Sequence, residues 1–136
     1  MQYWLIKSEP ENYSWEEFEK KGTEMWNGVR NYAARNHLRA MHKKDLCLFY
    51  HSGKETAIVG IAEVVKTAYP DPTATEGDWS AVDVKPIKKL KRPITLQEIK
   101  KEKSLADMIL IKISRLSVQP LTEYQYKLIL DMSNKK

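Results

Sequence analysis

The sequence lacks most features that mark secreted, membrane-spanning and nucleotide-hydrolysing proteins. Its single cysteine, Cys47, excludes an internal disulfide bond. No apolar run reaches the roughly 18 to 20 residues that span a bilayer, because the longest, residues 57–65, is interrupted by Gly60 and Glu63. Neither glycine-rich phosphate-binding pattern occurs, so nucleotide hydrolysis is not expected. The first residues also lack the layout of a signal peptide, so we expect a cytoplasmic protein, or a nuclear one in a eukaryotic cell.

Positive charge exceeds negative charge. Lys and Arg number 23 against 18 Asp and Glu, which gives a net charge of +5. Such an excess favours polyanionic partners, either nucleic acid or an acidic membrane surface. The length of 136 residues and the hydrophobic fraction of 42% predict one domain over residues 1–136, with a frayed tail at 133–136.

Three helices are predicted by one repeated capping pattern. Ser14, Thr95 and Thr122 are each followed three residues later by Glu or Gln, a spacing that satisfies free amide groups at a helix start. Each pattern has a flanking hydrophobic pair, and these pairs are Tyr13 with Phe18, Ile94 with Ile99, and Leu121 with Tyr126. A fourth helix is predicted from Asn31, as the capping residue, to Met41, because Ala and Leu dominate there without Gly or Pro.

The remaining segments predict strands. Runs typical of strands cover residues 2–7, 46–52, 57–67, 79–90 and 113–118. The residues around Gly53 predict a hairpin between the second and third runs. Helices inserted between strands predict an α+β fold, with a mixed sheet closed into a small barrel.

A basic stripe beside aromatic residues is the strongest functional signal. Arg35, Arg39 and His42 fall on one face of the fourth predicted helix, next to Trp26 and Tyr32. Cations that hold phosphates and rings that stack on bases are what a single-strand or base-flipping protein needs. The same pattern also suits core aromatics beside a solvated arginine face, so the segment alone leaves both interpretations open.

Two further segments allow both a functional and a structural interpretation. Ser8 and residues 49–52 lie at predicted strand ends. Their side chains can point into the opening of a pocket, or the segments can simply be the ends of strands without a binding role. The basic run 85–92, with Lys88, Lys89 and Lys91, can contact phosphates, or it can protect an edge strand from aggregation.

Spacing argues against metal binding and catalysis. His37 and His42 are five residues apart, about 140° around a helix, so they cannot share one ion. A Ser/His/Asp set could be drawn from Ser8, His51 and Asp45 or Asp83, but no nucleophile-elbow motif accompanies it. We expect no metal, no cofactor and no enzymatic activity.

Successive motifs along the chain resemble those of the EVE domain family. They are YWLIKSEP at 3–10, WNGVRNY at 26–32 with ARN at 34–36, FYHS at 49–52, VGIAEV at 59–64 followed by Pro70-Asp71, VDV at 82–84, and SRLSVQP at 114–120. This resemblance implies a PUA-like mixed β pseudo-barrel with flanking short helices, similar to YTH and ASCH domains. It also implies a reader of modified bases in DNA or RNA.

By this resemblance, the expected base pocket contains Ser8, Trp26, Asn31, Tyr32, Tyr50, His51 and Trp79. The expected backbone contacts are Arg30, Arg35 and Arg39. One departure from the family pattern is Ala33, where many relatives carry glutamine in an N-Y-Q-A-R-N string. If that glutamine contacts the ligand, base preference in this chain is expected to differ or to be weaker.

The hypothesis from sequence is a non-catalytic module that binds DNA or RNA. One unstacked base enters a cage of Trp26, Tyr50 or Trp79, while the arginine face and the lysines at 88, 89 and 91 engage phosphates. Two alternatives stay open at this point. One is a pocket for a small molecule or nucleoside without a polymer, and the other is an enzyme acting on a modified nucleotide.

Overall fold

The computed structural model of the protein describes residues 1–135, and these form an α+β fold. The elements in chain order are β1 (Tyr3–Ser8), α1 (Trp15–Lys21), β2 (Glu24–Trp26), α2 (Tyr32–Ala40), β3 (Leu46–His51), β4 (Ala57–Pro70), β5 (Ser80–Thr95), α3 (Leu96–Lys101), α4 (Ile109–Lys112), β6 (Val118–Leu121) and α5 (Glu123–Asn134). A single 3-10 turn, Lys103–Leu105, lies between α3 and α4. No helix among the described residues has the length and apolarity needed to cross a bilayer.

The strands form one six-stranded mixed sheet in the order β2-β5-β4-β3-β1-β6. β1 runs parallel to β3, and every other neighbouring pair is antiparallel, including the predicted β3–β4 hairpin. The α+β class and the mixed sheet are therefore confirmed. The sheet is open rather than closed, because β2 and β6 form its two edges within the described part of the chain.

Both faces of the sheet are covered by helices. Successive side chains of a strand point to opposite faces, so Trp4 and Ile6 pack on one side of β1 and Leu5 packs on the other. The first core, on the side of Trp4, contains residues of α1 and α2, whereas the second core contains residues of α3, α4 and α5. The side on which a strand residue points therefore decides which core it joins.

The helix starts follow the predicted capping pattern. Ser14, Thr95 and Thr122 each accept a hydrogen bond from the amide three residues later, and each reciprocal bond from Glu or Gln is present. Asn31 caps α2, with its side chain accepting from the Ala34 amide. The capping hydrogen bonds join residues only three positions apart, so the helix starts could be predicted without knowledge of the tertiary packing.

The predicted strand at 113–118 is wrong. Residues 113–117 form an irregular turn that follows α4, and the strand begins only at Val118. Pro120 lies within β6, which a proline tolerates because β6 is an edge strand and pairs on one side only. The short edge strand β2 was not predicted, since three residues carry too little pattern.

The predicted fraying at 133–136 is also wrong for its first two residues. α5 continues through Asn134, and the residue Ser133 is only 3% exposed. Its hydroxyl donates to the Arg92 carbonyl oxygen at 2.9 Å, which ties the end of α5 to β5. Lys136 lies outside the described residues.

Gly60 provides a test of core packing. A Cβ atom at this position would lie 2.5 Å from ring atoms of Trp15, so we expect Gly60→Ala to destabilise the fold by about 1–3 kcal/mol. Urea unfolding measures the change. In a Trp15→Leu background the ring is gone, and the same substitution should cost much less. An equal cost in both backgrounds would contradict this packing argument.

Candidate functional site

A cavity of about 440 Å³ opens beside Trp26 and is lined by the end of β1 and by the short strand β2. This volume lies within the range of roughly 300–1,000 Å³ typical of ligand pockets. We call it the Trp26 cavity. Its wall consists of Lys7, Ser8, Tyr13, Ser117, β2 (Glu24–Trp26) and the loop 27–30.

Trp26 is a rigid wall of this cavity. Its ring packs edge-on against Phe18 and Phe49, with centroid separations of 6.5 and 5.7 Å. Only 8% of the residue is exposed. Trp26 therefore belongs both to the first core and to the cavity, and its remaining surface is held in one orientation.

Two hydroxyl groups beside Trp26, those of Ser8 and Tyr13, differ in their hydrogen bonds. The Ser8 hydroxyl donates to the Tyr13 carbonyl oxygen at 2.5 Å, so it is already engaged. The Tyr13 hydroxyl is buried without a hydrogen-bond partner of good geometry among the described residues. Burial raises the pKa of Tyr13, and the neighbouring Glu24 carboxylate raises it further, so the hydroxyl keeps its proton. Tyr13 thus places a protonated hydroxyl beside the Glu24 carboxylate in the cavity wall.

Two cationic residues, Lys7 and Arg30, contribute to the cavity wall. The Lys7 ammonium donates to the Ser114 carbonyl oxygen and lies 5.7 Å from the centre of the Tyr50 ring. Burial lowers the pKa of Lys7. On the other side, the Arg30 guanidinium forms an ion pair with Asp71 at 3.0 Å. The Lys7 ammonium is therefore directed toward the Tyr50 face of the sheet, and the Arg30 charge beside the cavity is paired with Asp71.

Asp71 holds the loop that forms one wall of the cavity. The residue is 5% exposed, and its carboxylate accepts from the Gly28 amide at 2.8 Å, from Arg30 at 3.0 Å, and from the Thr73 amide and hydroxyl. Burial alone would raise the pKa of Asp71, but the hydrogen bonds from Thr73, Gly28 and Arg30 outweigh it and hold the pKa well below its usual range. Gly28 adopts φ +78°, which the loop requires and which other residues rarely tolerate.

The arginines of α2 tie that helix to the segment 71–80. Arg35 donates to the Asp78 carbonyl oxygen at 3.1 Å. Arg39 donates to the Ser80 hydroxyl at 2.9 Å and pairs with the Asp78 carboxylate at 2.7 Å. Both side chains keep part of their surface in solvent, so they combine an internal contact with an accessible charge.

Tyr32 and Trp79 form a stacked pair outside the Trp26 cavity. Their ring centres are 5.1 Å apart and their planes differ by 19°. Arg35 lies over both rings, and Arg30 lies over Trp79 at 5.6 Å. Tyr32 is 68% exposed, whereas Trp79 is half-buried.

Asn31, Tyr50 and His51 were predicted in the base pocket, but the structure places none of them in the Trp26 cavity. Asn31 is occupied as the cap of α2. Tyr50 points to the second core, on the opposite face of the sheet from Trp26. His51 accepts a hydrogen bond from the Trp15 amide at 3.1 Å, and burial lowers its pKa, so it supports the start of α1 as a neutral ring. Of the three rings predicted as alternatives for the cage, Trp26, Tyr50 or Trp79, the structure places Trp26 in the cavity wall.

The predicted lysines lie far from the arginine face. Lys89 pairs with Glu16 of α1 at 3.5 Å, and Lys88 and Lys91 lie beside the end of α5. Lys88 is eight residues along β5 from Ser80, the partner of Arg39, which corresponds to roughly 25 Å of strand. The two basic surfaces are thus separate.

Of the predicted site residues, the structure brings Ser8, Trp26 and Arg30 together at the cavity. Sequence reasoning missed Lys7, Tyr13, Glu24 and Ser117. From sequence, Tyr13 was identified only as the hydrophobic partner of Phe18 at the start of a helix, and Glu24 lies on the strand that was not predicted. The described residues contain no group of three or more His, Cys, Asp or Glu side chains that could hold a metal ion.

Asp71 provides a test of how the cavity wall is held. We expect Asp71→Asn to destabilise the protein by about 1.5–3 kcal/mol at neutral pH, because hydrogen bonds to a charged group are lost. Since the folded-state pKa is lowered, the wild-type contribution is present above the unfolded pKa of about 3.9 and disappears as pH falls below it. Urea unfolding between pH 7 and acidic pH measures both effects.

The matched control for this test is Asp78→Asn, an exposed carboxylate paired with Arg39. It should change stability by less than about 0.5 kcal/mol. A stability difference between wild type and Asp71→Asn that stayed constant through the acidic range would contradict the assignment of Asp71 as the ionised centre of the loop.

Comparison with known proteins places this geometry in a family. Thymocyte nuclear protein 1 from Mus musculus is 41% identical over an alignment of 164 positions, and the alignment covers 96% of this chain and 73% of the relative. Among solved structures, the human THYN1 protein in complex with 5-methylcytosine-containing DNA is 36% identical, with a TM-score of 0.93 and coverage of 100% of this chain and 99% of that one. Rpa0253 from Rhodopseudomonas palustris is 49% identical, with a TM-score of 0.93 over 98% of this chain and 93% of that one.

A more distant likeness extends to another class of domain. The YTH domain of Zygosaccharomyces rouxii MRB1, solved with N6-methyladenosine RNA, is 20% identical with a TM-score of 0.63, covering 98% of this chain and 87% of that one, and shows the fold alone. None of these relatives carries the name of an enzyme. The profile of the EVE domain matches residues 2–132. With a family match over nearly the whole chain, the protein belongs to the EVE domain family.

Proposed function

We propose that the protein is a non-catalytic reader that takes one modified base of a nucleic acid into the Trp26 cavity. The observation that carries this proposal is a ligand-sized cavity with a fixed tryptophan wall and the Arg30 guanidinium in its lining. The human relative solved with 5-methylcytosine-containing DNA supports DNA as the polymer and a methylated cytosine as the base.

The cavity wall suits a cytosine ring. Trp26 supplies an aromatic surface against which a base can pack, a contact worth about 1–3 kcal/mol per base. Glu24 supplies a carboxylate, and carboxylates accept hydrogen bonds from the exocyclic amino group of cytosine. Although Glu24 already accepts from Lys21 at 3.1 Å, a carboxylate has about four lone-pair sites and keeps capacity for a ligand. The Met25 side chain, also in the wall, offers apolar surface to a methyl group.

The charged groups around the cavity suit the sugar-phosphate backbone. Arg30 lines the cavity, and the face of α2 adds the partly exposed Arg35 and Arg39. These residues are proposed as the main phosphate contacts. Lys88, Lys89 and Lys91 are too far away to hold the same nucleotides, so we assign them a contact only with a longer polymer. The expected compartment, cytoplasm or nucleus, stays a prediction.

Trp26→Phe tests base recognition. Phenylalanine keeps the contacts with Phe18 and Phe49 but reduces the ring surface in the cavity. We expect affinity for a DNA oligonucleotide with one 5-methylcytosine to fall about fivefold, with a smaller loss for unmodified cytosine. Fluorescence anisotropy titrations with both oligonucleotides measure the ratio.

Trp15→Phe is the matched control for this substitution. Trp15 packs in the same aromatic cluster, against Phe18 and Phe49, but does not line the cavity. Its replacement should leave the ratio between modified and plain oligonucleotides unchanged. If both variants alter the ratio equally, the effect comes from general disturbance of the cluster, and the proposed role of Trp26 fails.

Arg39→Gln tests the phosphate contacts. Glutamine can still hydrogen-bond to Ser80 but carries no charge. We expect weaker binding to modified and plain oligonucleotides alike, and a slope of log affinity against log salt that is shallower by about 1. Lys127→Ala, which removes an exposed cation of α5, is the control and should leave the slope unchanged. Wild-type binding that did not depend on salt would instead favour a nucleoside or small-molecule pocket.

A further inference from the structure

We infer that the ring of Tyr32 is a second base-binding surface, which stacks on the nucleobase next to the one in the Trp26 cavity. This inference rests on the proposed function and extends it from one base to two. The inference is based on the stacked pair of Tyr32 and Trp79, two residues that do not line the Trp26 cavity.

The aromatic ring of Tyr32 contributes little to the stability of the fold. With 68% of its surface exposed, it buries far less apolar area than the core aromatics do. It sits in the first turn of α2, directly after the capping Asn31, so an ordinary polar residue would satisfy the helix equally well. An exposed aromatic ring that is also held in place is typical of an interaction surface.

Several contacts hold the stacked pair. Trp79 backs the Tyr32 ring at 5.1 Å, and Arg35 lies 5.0 Å from the Tyr32 ring centre. Gly77 has no side chain, and a Cβ atom there would lie 2.7 Å from the Trp79 indole nitrogen. Arg35 is in turn fixed on the Asp78 carbonyl oxygen. The surface is therefore formed before any ligand arrives.

Arg30 links the stacked pair to the cavity. Its guanidinium lies 5.6 Å from the Trp79 ring centre, and the same residue lines the cavity. The pair and the cavity are thus separated by about one arginine side chain, a distance that neighbouring nucleotides of one strand can span. With Arg30 between them, the phosphate joining the two nucleotides meets a cation.

A cycle of protein and ligand changes tests the inference. The probes are single-stranded DNA oligonucleotides with one 5-methylcytosine, in which the nucleotide on its 5′ or its 3′ side is either intact or abasic. We expect Tyr32→Ala to weaken binding of the intact strand by about fivefold or more. On the strand that lacks the stacked base, the same substitution should have almost no effect, and only one of the two sides should show this coupling.

Three control variants separate stacking from other effects. Tyr32→Phe keeps the ring and should bind as wild type does. Tyr32→Leu covers Trp79 with apolar surface but lacks a planar ring, so it should behave like Tyr32→Ala. Tyr124→Ala removes an equally exposed tyrosine, 61% exposed on α5, and should change nothing. Thermal unfolding monitored by circular dichroism verifies that all variants remain folded.

The result that overturns the inference is a Tyr32→Ala loss that is the same on intact and abasic strands, or no loss at all. The same titrations with plain cytosine in place of 5-methylcytosine separate this inference from the proposed function. Coupling at Tyr32 without any preference for the modified base supports the second surface and refutes modified-base reading. Preference for the modified base without coupling overturns the second surface alone. Absence of binding to every strand overturns both.

Discussion

The buried carboxylate of Asp71 is the contact on which the candidate site depends. It joins two loops that are more than forty positions apart in sequence, because it binds the Gly28 amide and Arg30 on one side and Thr73 on the other. The loop with Gly28 forms a wall of the cavity, and the segment that follows Asp71 carries Trp79. One ionised group therefore sets the relative position of the cavity and the stacked aromatic pair.

Local chemistry made much of the fold predictable. The capping residues of α1, α2, α3 and α5 and the hairpin between β3 and β4 depend on neighbours in sequence, and the structure confirms them. The strand predicted at 113–118 was wrong. Ile113 and its neighbours alternate between apolar and polar residues as a strand does, whereas the apolar residues just before them form α4. The short β2 became a strand only through pairing with β5, a contact between residues about sixty positions apart.

The candidate site was only partly predictable, because it depends on which face of the sheet each side chain occupies. The motifs singled out Ser8, Trp26 and Arg30, and these do meet. Tyr50 and His51 are adjacent on β3, so they point to opposite faces, and one pocket on one face could never have held both. Lys7 and Tyr13 became wall residues through the path of the chain around the end of β1, for which a single sequence carries no signal.

The internal bonds of the arginines have a thermodynamic consequence. A free arginine side chain loses rotamer freedom worth roughly 2 kcal/mol when a ligand immobilises it. Arg30, Arg35 and Arg39 have already lost much of that freedom, because carboxylate, carbonyl and hydroxyl groups of the segment 71–80 hold them. These side chains lose their conformational entropy when the protein folds rather than when a ligand binds. A polyanion that binds this surface therefore meets preorganised charges.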